Sequence, residues 1–240
     1  MRCGGWGHVL GDEGSAWWIS RKAMKFWFDE EDNLIQPPYS SEKIAEAIKS
    51  YFGIKDRFGL LTYCYDKFEK PHFAGMCLNT RPIHFIFESK SSTVLAFRNY
   101  NKYKIGSNAP RREMRFFLNF SLGVCKNIAQ QAEMGDPLSK HVFNEAGKAL
   151  AMHITALSRQ MESSLKNSLS VVCIGSVWKS WNLMKDGFVN ELQENSPEIR
   201  SYKLVKLKVP MATGACYLAA GSGMNKKYTE NTEVFFQYPA

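Results

Sequence analysis

Apolar residues recur at helical spacing along most of this chain and switch to short strand-like runs at only a few places. From Ser15 to Asp29, Ala16, Ile19, Ala23 and Trp27 fall on one face, and Trp17, Trp18, Met24, Phe26 and Phe28 widen it. Asp12 and Glu13 stand at the start of this expected helix, where its dipole favours negative charge. Pro37-Pro38 interrupts the pattern. Ser40 or Ser41 then caps a second helix through Tyr51, with Gly53 just past its end. A third helix is expected from Asp56 to Lys70, stopped by Pro71, and Phe73-Ala74-Gly75-Met76-Cys77 opens another.

Between Leu78 and Val124 neither a 3.6 nor a 2 period is sustained. Ile83 to Phe87 reads as a short strand and Asn99 to Pro110 as polar loop. Helical order returns at Cys125. Asp136-Pro137 is a strong helix start, and Leu138, Val142, Ala146, Leu150, His153 and Leu157 keep helical spacing to about Met161. Leu169 to Ile174 is a β-branched apolar run of the kind buried in parallel sheets, turned by Gly175-Ser176 into a helix marked by Val177, Trp181, Met184, Phe188 and Leu192. Tyr202 to Val209 alternates as a strand, Ala212 to Gly221 is a small-residue helix, and Val234 to Phe236 reads as a last strand. The class is α/β.

Composition adds that the chain is of ordinary globular type, with 45% hydrophobic and 22% charged residues among its 240. No stretch approaches a transmembrane span, and the first eight residues lack the apolar core of a signal peptide. The six cysteines form no C-x-x-C pair and no zinc spacing. They read as buried thiols of a reducing compartment, so a cytoplasmic location is expected. The net charge of +8 is local: residues 78–125 hold eight bases and two acids, leaving the rest nearly balanced. Those bases form no helical stripe, and Phe85, Phe87, Phe97 and Tyr100 do not interleave with them regularly. Nucleic acid is therefore not the expected partner.

Two glycine turns carry the candidate chemistry. The strand–Gly175-Ser176–helix unit presents backbone N–H groups at the carboxyl edge of a sheet, where α/β folds bind nucleotides, with Ser180 one turn beyond Ser176. A plain capped helix has the same spacing. The second turn, Gly4-Gly5-Trp6-Gly7-His8 with Gly11-Asp12-Glu13-Gly14, lets backbone approach a ligand closely and places an acid where it can accept from sugar hydroxyls. It reads equally as a glycine loop whose Asp12 caps a helix. His8 has no second ligand at metal spacing. Glu145 and His153 lie two helical turns apart, too far to share a metal. Trp181 reads as core, and Trp178 as core or ligand-facing.

At these residues the chain resembles the animal N-acetyl-D-glucosamine kinases. Cys3-Gly4-Gly5-Trp6-Gly7-His8-x-x-Gly11-Asp12-Glu13-Gly14-Ser15-Ala16 looks like their sugar-site signature. Phe73-Ala74-Gly75, Gly135-Asp136-Pro137-Leu138-Ser139 and Gly175-Ser176-Val177-Trp178-Lys179-Ser180-Trp181 match the same family in the same order. The resemblance implies an actin-like, ribonuclease-H-like ATPase lobe, formed by 1–77 and 126–240, with 78–125 an irregular basic insertion that splits a helix. It implies transfer of the ATP γ-phosphoryl group, with magnesium, to the 6-hydroxyl of N-acetylglucosamine, and a homodimer in the full-length family. Gly5, Trp6, Gly7 and Asp12 would line the sugar; Ala74, Ser176 and Ser180 would contact ATP. The family's amino-terminal lobe, with its phosphate hairpin and catalytic base, is expected to be missing. No acid-x-Gly-x-Thr/Ser hairpin occurs in the chain, so no catalytic residue is assigned and little activity is expected from this chain alone. A non-catalytic sugar- or partner-binding fragment is the alternative.

Overall fold

Ser15 begins the first helix by accepting a hydrogen bond from the backbone N–H of Trp18 at 3.2 Å. Helix α1 (Ala16–Glu31) follows, burying Ile19, Ala23, Met24 and Trp27. The computed structural model to which it belongs describes residues 2–66, 94–96, 123–219 and 230–239. Helix α2 (Glu42–Phe52) buries Ile44, Ala45 and Ile48, and ends on Gly53 in the left-handed region. Its start is not capped by Ser41. The Ser41 backbone N–H instead donates to the Glu30 carboxylate at 2.7 Å, tying α2 to the end of α1, and Ser40 Oγ accepts weakly from Glu42.

The helix expected from Asp56 to Lys70 is one short turn, Gly59–Leu61, running into a π-turn, Thr62–Asp66; residues 67–70 lie outside the described residues. The cause is local. Tyr63 packs its ring against Phe52 and donates its hydroxyl to the Phe52 carbonyl at 3.1 Å, drawing the segment back across the end of α2. Among the described residues of this segment, Leu60 is buried whereas Leu61 and Tyr65 are exposed.

Helix α3 (Val124–Glu133) resumes the chain, and helix α4 (Pro137–Ser158) starts on Asp136, whose carboxylate accepts from the Ser139 N–H at 2.7 Å. This is the central helix. Leu138, Val142, Phe143, Ala146, Leu150, Ala151 and Ile154 bury more than half of its circumference, while Lys140, Lys148 and Met152 leave the remaining face exposed. Each large side chain so buried stabilises the fold by about 1.5–3 kcal/mol. One core runs from α1 to the sheet, with residues from both sides of segment 78–125.

The sheet is mixed. Strand β2 (Leu169–Cys173) pairs in parallel with β3 (Tyr202–Leu207), and β3 pairs antiparallel with β4 (Thr232–Tyr238). The short β1 (Val94–Ala96) lies parallel to β2 on its other side, giving the order β1-β2-β3-β4. β1 falls inside the segment read as irregular; the strand expected at Ile83–Phe87 and the loop at Asn99–Pro110 lie outside the described residues. A five-residue 3-10 turn (Ser176–Ser180) and helix α5 (Trp181–Asn195) cross from β2 to β3, and helix α6 (Met211–Ala219) follows β3. The architecture is α/β.

Helices α4 and α5 run parallel, in contact through glycine. A Cβ on Gly147 would lie 2.0 Å from the Met184 carbonyl oxygen, and one on Gly187 would lie 2.0 Å from that of Asn144. Further along, Thr155 reaches Glu191 at 3.4 Å and Ser158 meets Ser196 at 3.4 Å, which fixes the same direction for both helices. No helix among the described residues is long and apolar enough to cross a membrane. Of the cysteines read as buried, Cys173 is buried, Cys3, Cys64 and Cys125 are half-covered, and Cys216 is exposed; Cys77 lies outside the described residues.

Candidate functional site

Gly4, Gly5 and Gly7 have φ of 71°, 69° and 92°, a region that side chains rarely adopt. Three such residues in four fold the chain into a tight loop. It is closed by Trp6 N–H donating to the Gly11 carbonyl at 3.1 Å and Gly11 N–H donating to the Gly7 carbonyl at 2.8 Å. Arg2 braces it from outside, donating to the carbonyls of Gly4 and Gly5 at 3.3 and 3.0 Å with its guanidinium 4.0 Å from the Trp6 ring centre. Trp6 is 60% exposed, and Val9 and Leu10 at the tip are more so. Trp17 meets the His8 ring edge-on at 5.7 Å and donates to the His8 carbonyl at 3.4 Å. Gly5, Trp6, Gly7 and Asp12 all lie in this loop, with Trp6 on its surface and Asp12 buried at 6% exposure.

Helix α4 is the floor of the loop. Gly14, at φ 73°, presses on Leu150, and Lys22 of α1 pairs with Glu145 at 3.1 Å. Gly4 presses on His153: a Cβ there would lie 2.3 Å from Nε2. His153 is buried, and its Nδ1 lies 2.8 Å from the Ala149 carbonyl, so the neutral ring carries its proton on Nδ1 and turns Nε2 toward the loop. The Glu13 carboxylate is 3.8 Å from Nε2 and also abuts Gly11, where a Cβ would lie 2.5 Å from Oε1. Burial pushes the His153 pKa below its ordinary value of 6.5, opposed by the Ala149 hydrogen bond and the Glu13 charge. Burial, followed by the same charge, pushes the Cys3 thiol up.

In the sequence His153 reads as one position of a helical stripe and as too far from Glu145 to share a metal, and nothing there connects it to the glycine loop. The available signal was one polar ring among Val142, Ala146, Leu150 and Leu157 on an otherwise apolar stripe.

The second turn sits at the carboxyl end of β2. Gly175 has φ 119°, with nothing within 4 Å of where a Cβ would stand. Ser180 makes no side-chain cap at the start of α5, so its hydroxyl is not spent there. Ser176 and Ser180 are half-buried at the two ends of the 3-10 turn, where three residues per turn leave them about a third of a turn apart around its axis rather than on one side, and open space lies over Gly175. Hydroxyl donors and backbone N–H groups at a sheet edge fit a nucleotide. Trp178 and Trp181 beneath them are both buried, packed with Phe188 and Phe235, which settles Trp178 as core. Ala74 lies outside the described residues.

The two turns are separate. The glycine loop rests on Ala146, Leu150 and His153, whereas α5 packs on Asn144 and Gly147, a face about 120° further around α4 at 100° per residue. His153 is six residues beyond Gly147, and Ser180 is four residues before the Met184 that faces Gly147. At 1.5 Å per residue the offset along the axis is roughly 15 Å. A pocket of about 320 Å³ lined by Leu192, Gln193, Pro197, Arg200, Tyr202 and Tyr238 lies at the opposite edge of the sheet from Gly175 and belongs to neither turn. Among the described residues no three His, Cys, Asp or Glu side chains cluster as a cation site. No known family's sequence model matches the chain.

Proposed function

We propose that this chain is a sugar- and nucleotide-binding polypeptide of the N-acetylglucosamine kinase type, a lobe of the actin-like ATPase kind, which binds N-acetylglucosamine without phosphorylating it. The observation that carries the reading is the loop itself: three left-handed glycines bring backbone groups and Trp6 to the surface over a buried carboxylate at the head of α1. A sugar ring presents an apolar face to an aromatic and hydroxyls to acceptors, and the loop supplies both. Ser176 and Ser180 are the groups of this chain that would orient ATP, whose chemistry when bound is to supply a transferable phosphoryl group. Turnover is not expected. No acid-x-Gly-x-Thr/Ser motif occurs in the sequence, and the separation of the two turns leaves no described residue positioned on both ligands.

Titration calorimetry with N-acetylglucosamine tests the proposal. Saturable binding is expected, and Asp12→Asn should weaken it about tenfold or more, the usual worth of a hydrogen bond to a charged acceptor. Absence of binding, or wild-type affinity in Asp12→Asn, would sink the sugar site. A coupled assay with ATP and magnesium should stay at background; steady turnover by this chain alone would contradict the inactive reading.

A further inference from the structure

We propose that His153 is a positioning residue for the sugar loop, a strut whose Nε2 edge, set against Gly4 and beside Glu13, holds the backbone that presents Gly5, Trp6, Gly7 and Asp12. The inference rests on the proposed sugar site and adds a residue and a control to it. Three contacts place the ring. Nδ1 is anchored on the Ala149 carbonyl at 2.8 Å, so the imidazole orientation is fixed by α4 and not by the loop. Gly4 lies so close to Nε2 that any side chain there would collide. Glu13 bridges the ring to the far strand of the loop, with its carboxylate 3.8 Å from Nε2 and against Gly11. The ring therefore contacts the first residues of the loop directly and the last through one carboxylate.

Such a strut responds to protonation. The neutral ring leaves Nε2 without a proton, and Gly4 can press on it. A proton on Nε2 adds a donor aimed at the loop and attracts Glu13, shortening the 3.8 Å separation and drawing the carboxylate off Gly11. Among the described residues, Glu13 is the charged group that faces the ring from the loop, and Cys3 is the other titratable group at that edge, itself under the influence of Glu13. Burial acts the other way and keeps the ring neutral near pH 7. The loop is thus held in its sugar-presenting form at neutral pH and released as the ring is protonated.

Two measurements over about pH 5 to 8 test this. Backbone amide shifts of Gly4, Gly5, Gly7 and Gly11 should titrate together with the His153 ring in the wild type, and not in His153→Gln. N-acetylglucosamine affinity should weaken about fivefold or more as the ring is protonated, the low end of typical coupling between sites, and become independent of pH in the variant. Glu13→Gln, a half-exposed change that spares the core, should shrink both responses if His153→Gln does not fold. Loop amides that ignore the ring titration, or a wild-type pH profile in both variants, overturn the proposal. Affinity that stays flat while the ring titrates overturns it and leaves the sugar site standing. A loop that titrates with His153 in a chain with no sugar affinity at any pH supports the strut and removes the proposed function instead.

Discussion

Adding one methyl group at Gly147 should separate the two central helices, and its cost can be worked from their geometry. The new Cβ would stand 2.0 Å from the Met184 carbonyl oxygen, whereas ordinary contact begins at 3.4 Å, so α4 and α5 must part by up to about 1.4 Å locally. The obstacle is helical backbone, which cannot swing aside as a side-chain tip can. Overpacking of this kind costs about 1–3 kcal/mol or more, against about 0.5–1 kcal/mol gained by replacing a mid-helix glycine with alanine. The net effect is destabilising. Gly187→Ala meets the Asn144 carbonyl at the same 2.0 Å and should behave alike. The double variant should cost less than the two singles together, because the first methyl already opens the gap the second needs. Gly214→Ala is the control: it too lies in a helix, is exposed, and has nothing within 4 Å of the added atom, so only the gain remains. Thermal melting by circular dichroism reads the result at roughly 2–4 °C per kcal/mol for a chain of this size. A melting temperature that rises in Gly147→Ala as it does in Gly214→Ala would refute the close crossing.

Stability should also fall with acid on account of His153. Its folded-state pKa is depressed below about 6.5, so between that value and the folded pKa the unfolded chain holds a proton that the folded chain does not. Stability is full above about pH 6.5, declines as pH drops through it and levels off below the folded pKa; urea midpoints near pH 7.5 and 5.5 should differ more in wild type than in His153→Gln, and equal differences would remove the buried neutral ring. Thiol labelling followed by peptide mass spectrometry should find Cys216 reacting first among the described cysteines, since it is exposed. Burial pushes the Cys173 thiol up, so it should label only on unfolding, and the half-covered Cys125, whose thiol burial pushes up to about 12, should label more slowly than Cys216; Cys173 reacting as fast as Cys216 would contradict its burial.

The elements that local chemistry specifies were legible before any coordinates. Asp136-Pro137 starts α4, Ser15 starts α1 and Gly53 ends α2, because each satisfies backbone groups within a few residues of itself. The β-branched run at Leu169–Cys173 and the alternation at Tyr202–Leu207 are strands for similarly local reasons, although the pairing of both, in register from Leu169 with Tyr202 to Cys173 with Lys206, depends on the α5 crossover. The segment after Asp56 departs from a regular helix because its contact is with the end of α2: Tyr63 donates to the Phe52 carbonyl, and the chain widens into a π-turn there.

The candidate site shows the same division more sharply. A glycine-rich loop with an acid at a helix start is visible in sequence, and so are two serines after a strand, because each lies within one stretch of chain. What gives the loop its shape is a histidine far along the sequence, and no periodicity connects the two. Taken singly, Gly4 is a turn glycine and His153 a polar residue on an apolar stripe, each with an ordinary explanation. Taken together, each accounts for the other: the position must be glycine because an imidazole occupies the space of its side chain, and the imidazole is tolerated in the core because Nδ1 is spent on Ala149 while Nε2 meets a backbone and a carboxylate. That mutual requirement is also why a substitution at either residue should be felt by the whole loop, and why Gly5, Trp6, Gly7 and Asp12 answer to a side chain on α4 that need not touch the sugar.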